Sequence, residues 1–539
     1  MKKMFLWVVL LVVGFAHAQF PVDDEEQMKA WYHRSFTTDG VYGVSSNEAY
    51  QYAASKGWKP SPIIVAVIDS GVDYLHEDLS GNMWKNPKEI PGNGIDDDGN
   101  GYIDDIYGWN FIGGADGKNV EADTMELTRL VAEGKAKFES GNTAQDQANR
   151  QKFANEYEDY QAMKNKFEEK LAEAKMIQSM IQGQIDGMMN AFNEFGNEYG
   201  MQKVITPDDL RDFQPQGQLA GAVKAHFMQA VGTEQAGEIF TNTPQEIIDE
   251  MKAEIEKDPG YQYYNTQVKY HYNLDFDPRH IVGDNYSDTS ERKYGNNDVK
   301  GPDSSHGTHV AGIIGASFDN NLGMNGIARD VRIMSIRAVP DGDERDKDVA
   351  NAIRYAADNG ARIINMSFGK PYSPNSDVVF EAIKHATKKG VLLVHAAGND
   401  DKDIDTEPNF PTNYNEGEKV SKSWITVGAS TVDTEGIKAS FSNFGRQQID
   451  IFAPGEQIYS TYPENEYEFQ QGTSMAAPVV SGVAALVWSF FPNLTAEQIR
   501  QVVVDSGNVH PHLAEISTQG RIVDALAALK LAENISKKK

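Results

Sequence analysis

The sequence predicts a doubly wound α/β domain interrupted by a largely helical insertion. Three observations predict it: short apolar runs without alternation, helical repeats placed between them, and a stretch from 121 to 280 that breaks this rhythm. The runs are IIVAVID (63–69), RIMSIRAV (332–339), RIINMSF (362–368), VLLVHAAGN (391–399) and WITVGAS (424–430). A strand covered on both faces needs apolar side chains on both, so continuous runs suit a parallel sheet lying between helices. In DKDVANAIRYAADNG, Val349, Ile353 and Ala356 share one helical face and Gly360 can end the helix. In SDVVFEAIKHATKKG, Ser376 is the expected N-cap, Val379, Ile383 and Ala386 repeat at helical spacing, and Gly390 closes the element. Strands alternating with such helices make a doubly wound sheet.

The insertion follows a different period. From Phe153 through Tyr157, Tyr160, Phe167, Leu171, Ala174, Ile181, Ile185, Met188 and Phe192, apolar residues recur at steps of three, four or seven. That is the seam of a long amphipathic, coiled-coil-like helix. Thr243-Pro244-Gln245-Glu246 matches a capping box with Pro at the first helical position, ahead of Ile247, Ile248, Met251 and Ile255. The expected organisation is a signal peptide over 1–18, a first domain part over 19–120, the helical insertion over 121–280, a second domain part over 281–530, and a polar basic tail over 531–539. The two domain parts must rejoin in space, which requires the insertion to leave from a surface loop.

Charge and composition exclude several functions. The formal net charge is −29, which repels phosphate backbones and argues against nucleic acid as a partner. No cysteine occurs, so thiol nucleophiles, disulfides and zinc–thiolate sites are excluded. Lys2 and Lys3 precede the apolar run MFLWVVLLVVGFA, and Ala16-His17-Ala18 offers small residues for cleavage before Gln19. The expectation is an exported chain, periplasmic or extracellular, with no membrane span once that segment is removed.

The stretch QGTSMAAPVVSGVAALVWSFFPN (471–493) sets a small hydroxyl residue, Ser474, before a long apolar run. Ser474 could cap a helix, begin a membrane span, or stand as a nucleophile at a helix N-terminus. Pro478, Ser481, Gly482 and Ser489 interrupt the run and count against the span. Partners elsewhere favour the nucleophile. Asp69 ends the first strand, at the edge where open α/β sheets place their sites. His306 precedes Gly307-Thr308 and an apolar helix in DSSHGTHVAGIIGA. A serine hydroxyl needs an imidazole to take its proton, and the imidazole needs a carboxylate to fix its tautomer. Asp69, His306 and Ser474 supply these three roles.

With these boxes the chain resembles the subtilisin-like serine proteases, the subtilases. The resemblance rests on VAVIDSGVD around Asp69, HGTHVAGIIGA from His306, NMSFG from Asn365, HAAGND around Asn399 and GTSMAAPVVSGVAALV from Gly472, and it leaves the insertion unmatched. It implies a subtilisin-like α/β fold and an exported serine endopeptidase working through an acyl-enzyme on protein or peptide substrates. It implies that Asn399 and the Ser474 backbone N–H form the oxyanion hole. It also implies that Ser367, Phe368 and Gly369 form the edge to which substrate backbone adds as a strand, with Gly369 leaving room for the side chain before the scissile bond.

A second site is expected in NGIDDDGNGYIDD, where Asp96, Asp98, Asn100, Gly101 and Asp104 fall at EF-hand-like positions for Ca²⁺. Tyr102 and Asp105 are added as further oxygen donors, since Tyr107 stands where a bidentate Glu is required. The competing reading is a solvated acidic turn. Two departures from the subtilase pattern stand out: few residues precede the first strand where an inhibitory prodomain is usual, and the insertion separates Asp69 from His306. The insertion is expected to restrict access to the cleft or to dock a partner or a second copy. The alternative function is a non-catalytic binding or chaperone-like protein on a protease fold. An esterase is disfavoured because no G-x-S-x-G elbow surrounds Ser474.

Overall fold

A computed structural model describes residues 25–231, 240–255 and 258–538. The expected signal segment lies outside the described residues. The described residues separate into two compact units, one within Leu127–Phe276 and the other formed by 25–126 together with 277–538.

The second unit is built on a nine-stranded sheet. Its strands are β1 (Ile63–Asp69), β2 (Gly108–Asn110), β3 (Val331–Arg337), β4 (Ile363–Met366), β5 (Leu392–Ala396), β6 (Trp424–Ser430), β7 (Ile451–Pro454), β10 (Asn508–Val509) and β11 (Arg521–Ile522). A separate antiparallel hairpin pairs β8 (Ile458–Tyr462) with β9 (Glu466–Gln470). The order across the large sheet is β10-β11-β7-β6-β5-β4-β1-β3-β2. All neighbours run parallel except β10 and β11. The continuous apolar runs are explained by β1: Ile63, Val65 and Val67 join one core cluster, while Ala66 and Ile68 join the other. A sheet apolar on both faces loses most of its exposed area only when helices cover both.

In the insertion unit, α1 (Glu126–Phe138) enters and α2 (Ala154–Tyr199) runs for 46 residues. Tyr160, Phe167, Ala174, Ile185, Met188 and Phe192 of the expected seam are buried, and the rest of the seam is half-buried. The C-terminal half of α2 packs with α3 (Pro244–Ile255) around Phe192, Phe195, Phe213, Phe227, Ile247, Ile248 and Met251. Thr243 and Glu246 exchange the reciprocal backbone bonds of a capping box, at 2.8 and 3.2 Å.

Four helices matter to the site unit: α4 (Ser305–Gly315), α5 (Asp346–Asp358), α6 (Ser376–Lys388) and α7 (Thr473–Phe490). Helices α4 and α7 cover one face of the sheet, α5 and α6 the other. Ser376 is the first residue of α6 rather than its cap; Asn375 occupies the cap position without a side-chain bond. Helix α7 is apolar and long enough to cross a membrane, and it is buried as the core helix of this unit. The expected polar tail begins later than 531, because α8 (Ala525–Ser536) continues the amphipathic repeat and buries Leu529 and Ala532. Glu533 on that helix accepts hydrogen bonds from Tyr52 (2.6 Å), Lys56 (3.3 Å) and Lys537 (2.6 Å).

Candidate active site

Asp69 is the last residue of β1 and sits at the carboxyl edge of the sheet. Its side chain is buried, and its Oδ1 accepts the Ser70 N–H at 2.8 Å and the His306 Nδ1–H at 2.7 Å. His306 stands in the first turn of α4. That helix can approach the strand end because position 307 lacks a side chain: a Cβ there would lie 2.1 Å from Gly71 O and 3.1 Å from Asp69 Cβ. Any larger residue would push the imidazole off the carboxylate. Burial opposes a charged ring, but the Asp69 carboxylate, through its charge and hydrogen bond, and Asp303 hold the His306 pKa above the ordinary imidazole value. The ring edge stays open to solvent, with 37% of the side chain exposed.

Ser474 lies in the first turn of α7, half-buried, and its Oγ donates to Ser367 O at 3.0 Å. The structure thus joins His306 to Asp69, while among the described residues no hydrogen bond links the Ser474 hydroxyl to the His306 ring. Pro478 shapes this turn. It has no N–H to give to the carbonyl four residues earlier, so the Ser474 carbonyl is released from the helix ladder. The Ser367 hydroxyl donates to that carbonyl at 2.8 Å. The Ser367 hydroxyl is in turn fixed by Asn365 Nδ2 (2.9 Å), and Asn365 Oδ1 accepts the Ser481 hydroxyl (2.8 Å). A buried polar chain thus ties the end of β4 to two turns of α7.

Asn399 is exposed at the end of the β5 loop. Its Oδ1 accepts both the Thr473 backbone N–H (2.9 Å) and the Thr473 hydroxyl (3.0 Å). A backbone N–H can only donate, so the oxygen of this amide must face Thr473 and its Nδ2 must point the other way. The Thr473 hydroxyl also accepts the Gly398 N–H at 3.0 Å, which fixes the hydroxyl that holds the amide oxygen. The Ser474 N–H belongs to the first helical turn, where backbone donors have no partner within the helix. Gly472, with φ +152°, marks where the two donors converge: a Cβ there would lie 3.4 Å from Asn399 Nδ2 and 3.5 Å from Ser474 N. Among the described residues neither Asn399 Nδ2 nor the Ser474 N–H has a hydrogen-bond acceptor, so both are available to a bound oxygen.

The segment Ser367–Gly369 leaves the sheet after β4. Phe368 O accepts the His395 Nε2–H at 2.9 Å. Gly369 does not simply face open space: a Cβ there would lie 2.6 Å from the amide of Asn409, which itself donates to Ala396 O and Ala397 O at 3.4 and 3.1 Å. Thr473 is adjacent to Ser474 in sequence and could have been found there. Asn409 carries no local pattern that marks it.

The residues of the acidic loop do not share one shell. Asp104 spends both oxygens on the N–H groups of Gly92, Asn93 and Gly94. Asp105 is fully buried and accepts from Asn86, Asn100 and Tyr355; burial nevertheless pushes its carboxyl up to about 6. Tyr102 is buried with its hydroxyl donating to Arg292 O, and Asn100 Oδ1 accepts the Tyr102 N–H. Asp96 accepts the N–H groups of Asn100 and Gly101, and Asp98 accepts that of Asn100.

A family model described as the subtilase family matches residues 61–520. The chain is 39% identical to subtilisin DY of Bacillus licheniformis over 36% of this chain and 67% of that one. It is 36% identical to thermitase of Thermoactinomyces vulgaris over 40% of this chain and 72% of that one. Among solved structures, it is similar to a protease of Pseudoalteromonas arctica, 29% identical over 44% of this chain and 78% of that one, with a TM-score of 0.39.

Proposed function

We propose, from the premise that this chain belongs to the subtilase family of serine proteases, that it is an exported endopeptidase cleaving peptide bonds through a Ser474 acyl-enzyme. The observation that carries this reading is the 2.7 Å bond from His306 Nδ1 to the buried Asp69 carboxylate. It fixes the ring tautomer, leaving Nε2 as the proton acceptor. Ser474 Oγ gives its proton to His306 Nε2 as it attacks the scissile carbonyl carbon, and the resulting O⁻ is met by Asn399 Nδ2–H and the Ser474 N–H. His306 then delivers the proton to the departing amine, which leaves the Ser474 ester. Water attacks that ester with His306 again as base, and the acid product leaves. Asp69 stays ionised throughout and stabilises the imidazolium.

Substrate backbone adds along Ser367–Gly369, bringing the carbonyl beside Ser474. The reading of export rests on Lys2, Lys3, the apolar run and Ala16-His17-Ala18. The helical unit offers exposed Met176, Met180 and Tyr263 as a surface for a partner. The experiment is a rapid-mix assay with an activated ester and a denatured protein as substrates. The reading expects a burst of one equivalent of product per enzyme and proteolysis that disappears in Ser474→Ala. Proteolysis retained in that variant contradicts it, as does a wild-type chain with no burst and no cleavage, the behaviour of a binding protein on this fold.

A further inference from the structure

We propose, resting on the reading that Ser367–Gly369 receives substrate backbone, that Lys370 is a positioning residue for that edge and that Glu126, where the insertion begins, sets it. Lys370 directly follows Gly369, and its side chain is 2% exposed. An ammonium group carries three donors. Three acceptors meet this one: Glu126 Oε2 at 2.7 Å, Glu344 O at 2.7 Å and Asp346 Oδ1 at 2.8 Å. The Glu126 side chain is as deeply buried as that of Lys370. Breaking a buried pair on one side leaves an uncompensated charge out of water, so neither partner moves without the other.

The backbone of Lys370 is tied as well. Its N–H donates to Phe410 O at 3.0 Å, and its carbonyl accepts the Phe410 N–H at 2.8 Å. At the other end of the edge the Ser367 hydroxyl donates to Ser474 O. The substrate edge is therefore a three-residue span pinned at both ends, and Gly369, beside the Lys370 anchor, is its most pliable member. A peptide adding as a strand meets N–H and C=O groups at fixed spacing. The place of the Lys370 anchor is thus felt in substrate affinity. Attack by Ser474 depends on other groups, His306 and the two oxyanion donors.

A second, independent set of contacts ties the same place to both ends of the insertion. Glu126 is the first residue of α1, and its N–H donates to Asp343 Oδ2 at 2.7 Å. Arg345 donates to Asp123 at 2.7 and 2.9 Å and to Asp277 at 2.9 Å. Asp123 precedes the insertion and Asp277 follows it, and all of these residues belong to the sheet unit. In the run Glu344-Arg345-Asp346, the middle residue holds both ends of the insertion while its two neighbours hold Lys370. A displacement at Glu126 therefore passes to the substrate edge through a buried polar network whose members are mutually paired.

The test measures binding of fluorescein-labelled casein, an unfolded protein, by anisotropy in the full chain carrying Ser474→Ala, so the result stands whether or not Ser474 is a nucleophile. Phosphonylation by a small fluorophosphonate, which does not use the edge, is timed in the chain with Ser474 intact. Glu126→Gln and Lys370→Met should each weaken casein binding about three- to thirtyfold, with the phosphonylation rate retained. Asp450→Asn, which breaks the Arg500 pair elsewhere in the same unit, should lower the melting temperature and leave casein binding as in the parent. Glutamine at 126 keeps an oxygen for the Lys370 ammonium, so this variant decides should Lys370→Met misfold. Parent-like casein affinity in folded Glu126→Gln, an equal loss in Asp450→Asn, phosphonylation lost in proportion to binding, or no casein binding by the parent overturns the inference. A wild-type chain that binds casein and is not phosphonylated sinks the protease reading alone.

Discussion

Thr473 is expected to work through Asn399, and a double-mutant cycle measures this. Removing the Asn399 side chain takes one donor from the oxyanion hollow, a loss of about 100- to 1,000-fold in kcat, or about 2.7–4 kcal/mol, with little change in KM. Thr473→Val removes one of the two bonds to Asn399 Oδ1, the 3.0 Å hydroxyl bond, and leaves the 2.9 Å backbone bond in place. A neutral hydrogen bond contributes about 1 kcal/mol net, so Thr473→Val should lower kcat about five- to tenfold by letting the amide swing. In the Asn399→Ala background the amide is gone and Thr473→Val should cost less than about twofold. The assay is kcat and KM on a chromogenic peptide amide for all four proteins, with melting temperatures to register the Gly398 N–H left without its acceptor. Equal losses from Thr473→Val in both backgrounds would refute the positioning argument.

Other expectations follow from the same contacts. Asp69→Asn should reduce kcat/KM by about 10⁴. Because the His306 pKa is held above 6.5 and the base must be neutral, wild-type kcat/KM should rise with pH through a midpoint above 6.5, and Asp69→Asn should move that midpoint down; a pH–rate profile decides. Ser367→Ala leaves the carbonyl freed by Pro478 without its donor and should cost about 1 kcal/mol of stability along with part of kcat, read by thermal melting and steady-state kinetics. Burial pushes His33 and His395 down to about 4 and His309 down to about 3. At each of these three sites the folded form therefore binds fewer protons than the unfolded one below pH 6.5, so that site's contribution to stability is lost as pH falls from there. At pH 5 the three together should cost on the order of 6 kcal/mol, about 1.4 kcal/mol per unit for each. In the Ser474→Ala chain the change in melting temperature between pH 7 and pH 5 should shift toward stabilisation when His309→Gln is added, and no shift would contradict this.

The sheet and the long helix were legible because burial on a regular period leaves a local mark. WITVGAS becomes β6 without a shift in either end. RIINMSF and VLLVHAAGN become shorter strands, since Ser367 and Asn399 leave the ladder to present their polar groups at the sheet edge. His306 and Asp69 were legible as residue types in distinctive boxes, and their distance was not. What the sequence hid was contact across many positions: the Asn409 amide against Gly369, the Ser367 hydroxyl on the carbonyl that Pro478 releases, and Glu89 beside Asp98. None of these has a period or a spacing, because each is set by where two separate loops meet. The capping of α6 was misplaced for a related reason. The Asn375 N–H is held by Asp346 of α5, so that tertiary bond decides where α6 starts.

The most direct test of the central claim is where a fluorophosphonate attaches. Phosphonylation requires an alcohol activated by a neighbouring imidazole and an oxyanion hollow to receive the phosphoryl oxygen. Peptide mapping by mass spectrometry after brief exposure should find one adduct, on Ser474, formed at a rate that collapses in His306→Ala. An unlabelled chain, or an adduct elsewhere that forms equally fast without His306, would contradict the account.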